Sequence, residues 1–220
     1  MQFDKSDTAL VIIDPQNDLL SEKGISWPLV GSSIKENKTV ENLDRLFAAA
    51  KGNDYGVFIS PHFLYPHDQR WQFGGVVEKM MLEGKEFYRS DPVSRDLLRS
   101  DTFTGSGADW LERFKPFIDD GKTVIAGPHK AWGPQTNDLV FQLRKRRIDK
   151  VILAGMLANL CVESHLRELL EQGFEVAVVK DATAAPRHPE IGDGYKAALV
   201  NYGFLANAVV TTDGVVKSMA

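Results

Sequence analysis

The chain has 220 residues, of which 43% are hydrophobic and 25% charged, with a net charge of −4 and a single cysteine. That composition supports one full hydrophobic core, expected as a single domain over 1–220, and one cysteine excludes an internal disulfide. There is no polyelectrolyte bias, no signal-peptide pattern and no apolar run near the ~18–20 residues that span a bilayer, so a cytoplasmic protein with neither nucleic-acid nor membrane partners is expected.

Thr8–Ile13 reads as a buried strand that runs straight into Asp14-Pro-Gln-Asn-Asp18. Leu19–Glu36, with Gly24, Trp27, Pro28 and Gly31, reads as a loop, and Val40, Leu43, Leu46 and Phe47 then recur at helical spacing. Tyr55–Ser60 is the second strand. Residues 61–105 read as irregular and rich in aromatic and charged side chains, and Ser106–Ile118 restores a helical pattern through Trp110, Leu111, Phe114 and Phe117. Thr123–Ala126 is a third strand. The next helix begins near Pro134 with Thr136 as N-cap, and Arg144–Arg147 falls at its end, where a helix favours cations. Lys150–Ala154 is the fourth strand; Asn159 caps a helix with Val162, Leu166, Leu169 and Leu170 on its inner face, ended by Gly173. A fifth strand at Glu175–Val179, a helix near Glu190–Asn201 and a short strand at Ala208–Val210 follow. This alternation implies right-handed βαβ units and an α/β fold, a three-layer α/β/α sandwich around a central, mainly parallel sheet. Gly105-Ser-Gly107 lacks the third glycine of a dinucleotide fingerprint and there is no phosphate loop, so no cofactor is expected.

Cys161 sits where the fourth strand hands over to a helix. A thiol in a first helical turn meets unpaired N–H groups and the positive end of the helix dipole, which favours its thiolate. A lone cysteine is more often a small buried hydrophobe. Two further residues argue otherwise here. Asp14 ends the first strand and Lys130 follows the third, and the carboxyl ends of parallel strands share one edge of the sheet, so Asp14, Lys130 and Cys161 are expected to converge as catalytic residues. Lys122 precedes its strand and belongs at the opposite edge. His129 and His165 read as hydrogen-bonding neighbours rather than as half of a Cys-His dyad. With no Gly-x-Ser-x-Gly elbow, Cys161 is the nucleophile candidate, and the backbone N–H groups of Leu157 and Cys161 are the candidate oxyanion donors.

Three segments resemble the isochorismatase-like cysteine hydrolases, a family that includes nicotinamidase and N-carbamoylsarcosine and ureidoacrylate amidohydrolases. They are Asp14-x-Gln16-Asn17-Asp18, the Lys130 segment with Asn137-Asp138-Leu139, and Ala154-Gly155 through Asn159-Leu-Cys161-Val-Glu163. The resemblance implies hydrolysis of a C–N amide or ureide bond in a small molecule through a thioester and a cis Met156–Leu157 peptide; a homo-oligomer is also expected. The other readings are vinyl-ether hydrolysis of the isochorismatase type and a catalytically silent binding module. Nicotinamidases place an Asp where Ser60 stands here, so no metal site is assigned, although His62, His67 and Asp68 are the residues that would hold an ion. Gln16, Phe63, Trp71 and Trp132 are the residues expected to line the substrate pocket.

Overall fold

In the computed structural model, which describes residues 1–84 and 103–220, the first strand, β1 (Thr8–Ile13), has every residue buried. Its neighbours explain why. It pairs in parallel with β2 (Gly56–Ser60) on one side and β4 (Lys150–Met156) on the other. Among the described residues six strands form one parallel sheet, in the order β3 (Val124–Ile125), β2, β1, β4, β5 (Glu175–Ala184) and β8 (Ala208–Val210). Strands buried on both faces read as continuous apolar runs, as Thr8–Ile13 does.

Alternate residues of β1 face two separate cores. Leu10 and Ile12 pack with α2 (Trp27–Asn37), α3 (Thr39–Gly52), α5 (Lys115–Ile118) and α9 (Thr212–Met219). Ala9, Val11 and Ile13 pack with α6 (Leu139–Lys145), α7 (Glu163–Glu171) and α8 (Gly194–Leu205). The result is the expected three-layer α/β/α sandwich. None of the helices among the described residues is long and apolar enough to cross a membrane.

Several elements differ from the sequence reading. The expected loop at 19–36 contains α1 (Asn17–Leu20) and most of α2. Pro28 lies in the first turn of α2, where its missing N–H has no intrahelical partner to lose, and Gly31 leaves room for the Trp27 ring, which a Cβ would approach to 2.6 Å. The expected helix over 106–118 shrinks to a 3-10 turn at Glu112–Phe114 and the single turn α5. Upstream, the Asp109 carboxylate accepts the N–H groups of Gly105 and Trp110 at 2.7 Å each, a local arrangement that competes with a helix. Thr136 does not cap α6, whose N-cap is Asp138; its hydroxyl accepts the Lys130 N–H instead. Asn159 lies within a π-helical turn, Ala158–Val162, that leads into α7. β5 continues to Ala184, and α8 starts at Gly194, where Asp193 accepts from the N–H groups of Tyr195 and Lys196. The small antiparallel pair β6 (Arg187–His188) and β7 (Gly192–Asp193), and α9, carry no strong sequence signal. Within 61–105 the structure has a 3-10 turn at Pro66–Arg70 and α4 (Val76–Gly84); 85–102 lie outside the described residues.

The sheet has one position that only glycine fits. Gly155 in β4 has φ 114°, and a Cβ there would lie 2.1 Å from the Ile13 carbonyl oxygen and 2.5 Å from the Ile13 nitrogen. Backbone cannot rotate out of the way as a side chain can. Gly155→Ala is therefore expected to destabilise the protein by about 2 kcal/mol or more, read as a fall in the urea midpoint with unchanged slope.

Candidate active site

β1 and β4 run in register from Thr8 opposite Lys150 to Ile13 opposite Gly155, so the chain segments that follow them emerge side by side. Asp14 is the first residue beyond β1. Its φ of 49° is in the left-handed region, which Asp tolerates better than most residues, and its N–H donates to Ser60 O at 3.1 Å. The next turn is held by Gln16, whose amide donates to the carbonyls of His62 (2.8 Å) and Ala108 (2.7 Å) and accepts the His62 N–H (2.9 Å). Beyond β4 the Met156–Leu157 peptide is cis, as the resemblance implies, and the π-helical turn brings Cys161, 5% exposed, to the same edge. π-Helical turns concentrate at functional sites.

The third side chain at this point is His129. Its Nε2–H donates to Asp14 Oδ1 at 2.9 Å, with both residues fully buried. One donor atom from each of Asp14, His129 and Cys161 lies within 4.8 Å of the other two, and this is the one such group of His, Cys, Asp and Glu among the described residues. Burial pushes the Asp14 carboxyl up from its ordinary value, against the pull of the His129 charge and of hydrogen bonds from His129 and Cys161. His129 lies between two other rings, His62 at 4.9 Å and His165 at 5.0 Å between centroids. Burial, together with the nearby charge of His129, holds both flanking imidazoles well below the usual histidine range. Of the three imidazoles, His129 is the one with the carboxylate partner. His165 fits a neutral role: Nδ1–H donates to Cys161 O at 2.7 Å and Nε2 accepts from Ser60 Oγ at 2.8 Å, which in turn accepts from Asn137 Nδ2.

The geometry departs from the sequence reading at Lys130. Its ammonium donates to Asp68 Oδ2 (2.7 Å) and Phe63 O (3.1 Å) and sits 3.9 Å from the Tyr65 ring centre, so it ties down the loop after β2. A residue after a strand end points where its φ and ψ send it, and the side chain that turns inward is His129. The residues considered for a metal do not converge either. Asp68 is engaged by Lys130 and by the Tyr65 N–H, His67 is an exposed neighbour at 3.4 Å, and His62 turns inward against His129.

A cavity of about 610 Å³ opens over Asp14 and Cys161. Of the four expected pocket residues Trp132 lines it. Gln16 is consumed by the turn it clamps, Phe63 packs with Phe103 and Trp110, and Trp71 lies at the surface. The walls come instead from the start of α2 and from α4, stretches read from sequence as loop and irregular chain, and from the segment leading into α8, part of which was read as helix. A signal was present in Val76-Val77 and Met80-Met81, whose apolar pairs recur at helical spacing.

The isochorismatase domain family matches residues 8–213 of the chain. The uncharacterized isochorismatase family protein YwoC of Bacillus subtilis is 39% identical over 84 residues, covering 36% of this chain and 43% of that protein, so the match spans less than half of that relative's length. The ureidoacrylate amidohydrolase RutB of Methylorubrum extorquens is 25% identical over 201 residues, covering 87% of this chain and 75% of RutB. Among solved structures, a cysteine hydrolase from Pseudomonas syringae pv. phaseolicola superposes with a TM-score of 0.79 at 20% identity, covering 100% of this chain and 95% of that one, which is a likeness of fold.

The buried Asp14 carboxylate carries a stability cost with a defined pH dependence. Its carboxyl is raised above the ordinary value of 3.8, so the cost is absent below that pH and complete once the pH has passed the raised value. Asp14→Asn removes it while keeping an acceptor for His129. The variant is expected to melt no lower than the parent at pH 7, with its advantage shrinking as the pH falls toward 4, measured by thermal unfolding across that range.

Proposed function

The chain belongs to the isochorismatase family, a family of hydrolases, and from that premise we propose that it is an amidohydrolase that cleaves a C–N bond through a Cys161 thioester. The observation that carries this reading is the convergence of Asp14, His129 and Cys161, with Asp14 and Cys161 on the floor of one cavity. Similarity to a ureidoacrylate amidohydrolase over most of the chain supports the amide class.

Asp14 takes the thiol proton, a task favoured by the burial that raises its proton affinity. His129, hydrogen-bonded to Asp14, keeps the carboxylate oriented and, as the imidazolium, supplies the positive charge that stabilises the thiolate. It does what the sequence reading asked of Lys130. The thiolate attacks the carbonyl carbon, and the oxyanion is met by the backbone N–H groups of Leu157 and Cys161 at the start of the helical segment. Asp14 returns the proton to the departing amine as the C–N bond breaks, then accepts a proton from the water that cleaves the thioester. His165 acts on the thiol indirectly, by gripping the Cys161 carbonyl.

Incubation with a panel of carboxamides and ureides, followed by mass spectrometry of the Cys161 peptide, tests the scheme. An acyl adduct on Cys161 with release of ammonia or amine is expected; hydrolysis that continues undiminished in Cys161→Ser would end the proposal. The serine variant should lose at least ~1,000-fold in turnover. His129→Ala and Asp14→Ala should each lose at least ~100-fold. Lys130→Ala should keep turnover within about tenfold and show its effect in stability, because its ammonium holds a loop.

A further inference from the structure

The cavity above Cys161 is walled almost entirely by hydrocarbon. Leu29 and Val30 of α2, Val77, Met80 and Met81 of α4, and Ile191 ahead of α8 face it. The charged side chains among the described lining residues are two aspartates, with no lysine or arginine. Both are engaged: Asp14 with His129, and Asp193 with the N–H groups of Tyr195 and Lys196 and with Arg187. Of the lining histidines, His62 is held neutral by burial, and His188 Nδ1 accepts the N–H groups of Glu190 and Ile191. A substrate carboxylate lodged here would lose its water, face Asp14 and find no cation among the described residues, a combination that costs several kcal/mol where the charge stays unpaired.

The cavity is also larger than the reacting group. At about 610 Å³ it falls within the ~300–1,000 Å³ of pockets that enclose whole drug-sized ligands, whereas a carbonyl and its amine occupy only the floor. Beside Cys161, Asn159 lines the same space, and its side-chain carbonyl is buried without a hydrogen-bond partner. Gly194 lets that side chain lie flat, since a Cβ there would come within 2.7 Å of Asn159 Nδ2.

The geometry points to an uncharged carboxamide with an apolar acyl substituent as the substrate class, an inference that rests on the amidohydrolase reading for its carbonyl. In the reaction R–CO–NH2 exchanges its C–N bond for C–S, the Cys161 proton leaves with ammonia, and water then exchanges C–S for C–O, giving the carboxylic acid and the free thiol. The group R occupies the space between α2, α4 and Ile191. Each methylene it buries there should raise kcat/KM about fourfold until the cavity is filled.

Two measurements keep the pocket and the chemistry separable. In the first, Cys161 is modified by alkyl methanethiosulfonates from methyl to hexyl, in which the thiolate attacks sulfur, a mixed disulfide forms and methanesulfinate leaves; rates are divided by those of free cysteine with the same reagents. In the second, kcat/KM is measured along straight-chain carboxamides from acetamide to octanamide, with succinamate as the anionic member. The expected result is a rise of about fourfold per methylene in both series, a slower reaction with the anionic sulfonatoethyl reagent than with the neutral ethyl one, and little turnover of succinamate. Leu29→Lys, a change at a side chain already 38% exposed, should flatten both slopes and speed the anionic reagent, with folding checked by circular dichroism. A flat modification series, or a faster anionic reagent on the parent protein, overturns the substrate class even if small amides are hydrolysed. A steep modification series with no amide turned over upholds the apolar pocket and removes the amidohydrolase reading instead.

Discussion

The register between β1 and β4 is the constraint on which the site depends. Because Ile13 lies opposite Gly155, the first residue beyond one strand and the loop beyond the other begin about one strand spacing apart, close to 4.8 Å. Asp14 can then share a space with a cysteine 147 positions later in the chain. Gly155, at φ 114°, occupies space beside Ile13 that no Cβ could enter, and on its other side the pairing of β4 with β5 shifts register between Leu153 and Gly155. Glycine within a strand costs roughly 0.5–1 kcal/mol relative to alanine. Here that cost is small beside the clash of a Cβ with the Ile13 backbone.

Burial then sets the electrostatics. Asp14, His129, His62 and His165 are all removed from water, and an isolated ion in such a place would be strongly disfavoured. The cluster answers this by pairing, with Asp14 against the Nε2–H of His129, while burial holds the two flanking imidazoles well below the usual histidine range and His165 spends its donor on the Cys161 carbonyl. The pair and the thiol lie beneath an apolar cavity, and in the proposed mechanism the same low dielectric that makes the pair costly would strengthen its action on a developing thiolate. Under the proposed mechanism stability and reactivity are opposed at Asp14, and the folded scaffold, with its two large cores, carries the difference.

Gln16 and Lys130 show why residue type alone misleads at a sheet edge. Both lie close in sequence to Asp14 and His129, and both carry groups that could serve in a site. Gln16 uses its amide to hold the turn that aims Asp14; Lys130 uses its ammonium to hold the loop between β2 and α4. These are positioning tasks, assigned by which way one residue faces relative to the next.

The central strands were legible from the sequence because a strand buried on both faces must be apolar almost throughout, and Ala9–Ile13 and Val151–Ala154 are. Alternation of strands with helical periodicities then determined the parallel α/β/α sandwich, and a strand running into Asp14 and another into the Cys161 loop determined that these two would meet, since parallel strands present their carboxyl ends together. Local sequence could not decide between His129 and Lys130, which are adjacent and differ only in which way their side chains turn. Nor could it find the pocket: α2 carries a proline and a glycine that read as loop, α4 lies in a stretch without clear punctuation, and their apolar faces acquire a meaning only when packing sets them opposite Cys161. Periodicity is a property of one segment and survives in the sequence; the direction of a side chain and the shape of a cavity depend on contacts between segments far apart, and only the tertiary structure decides them.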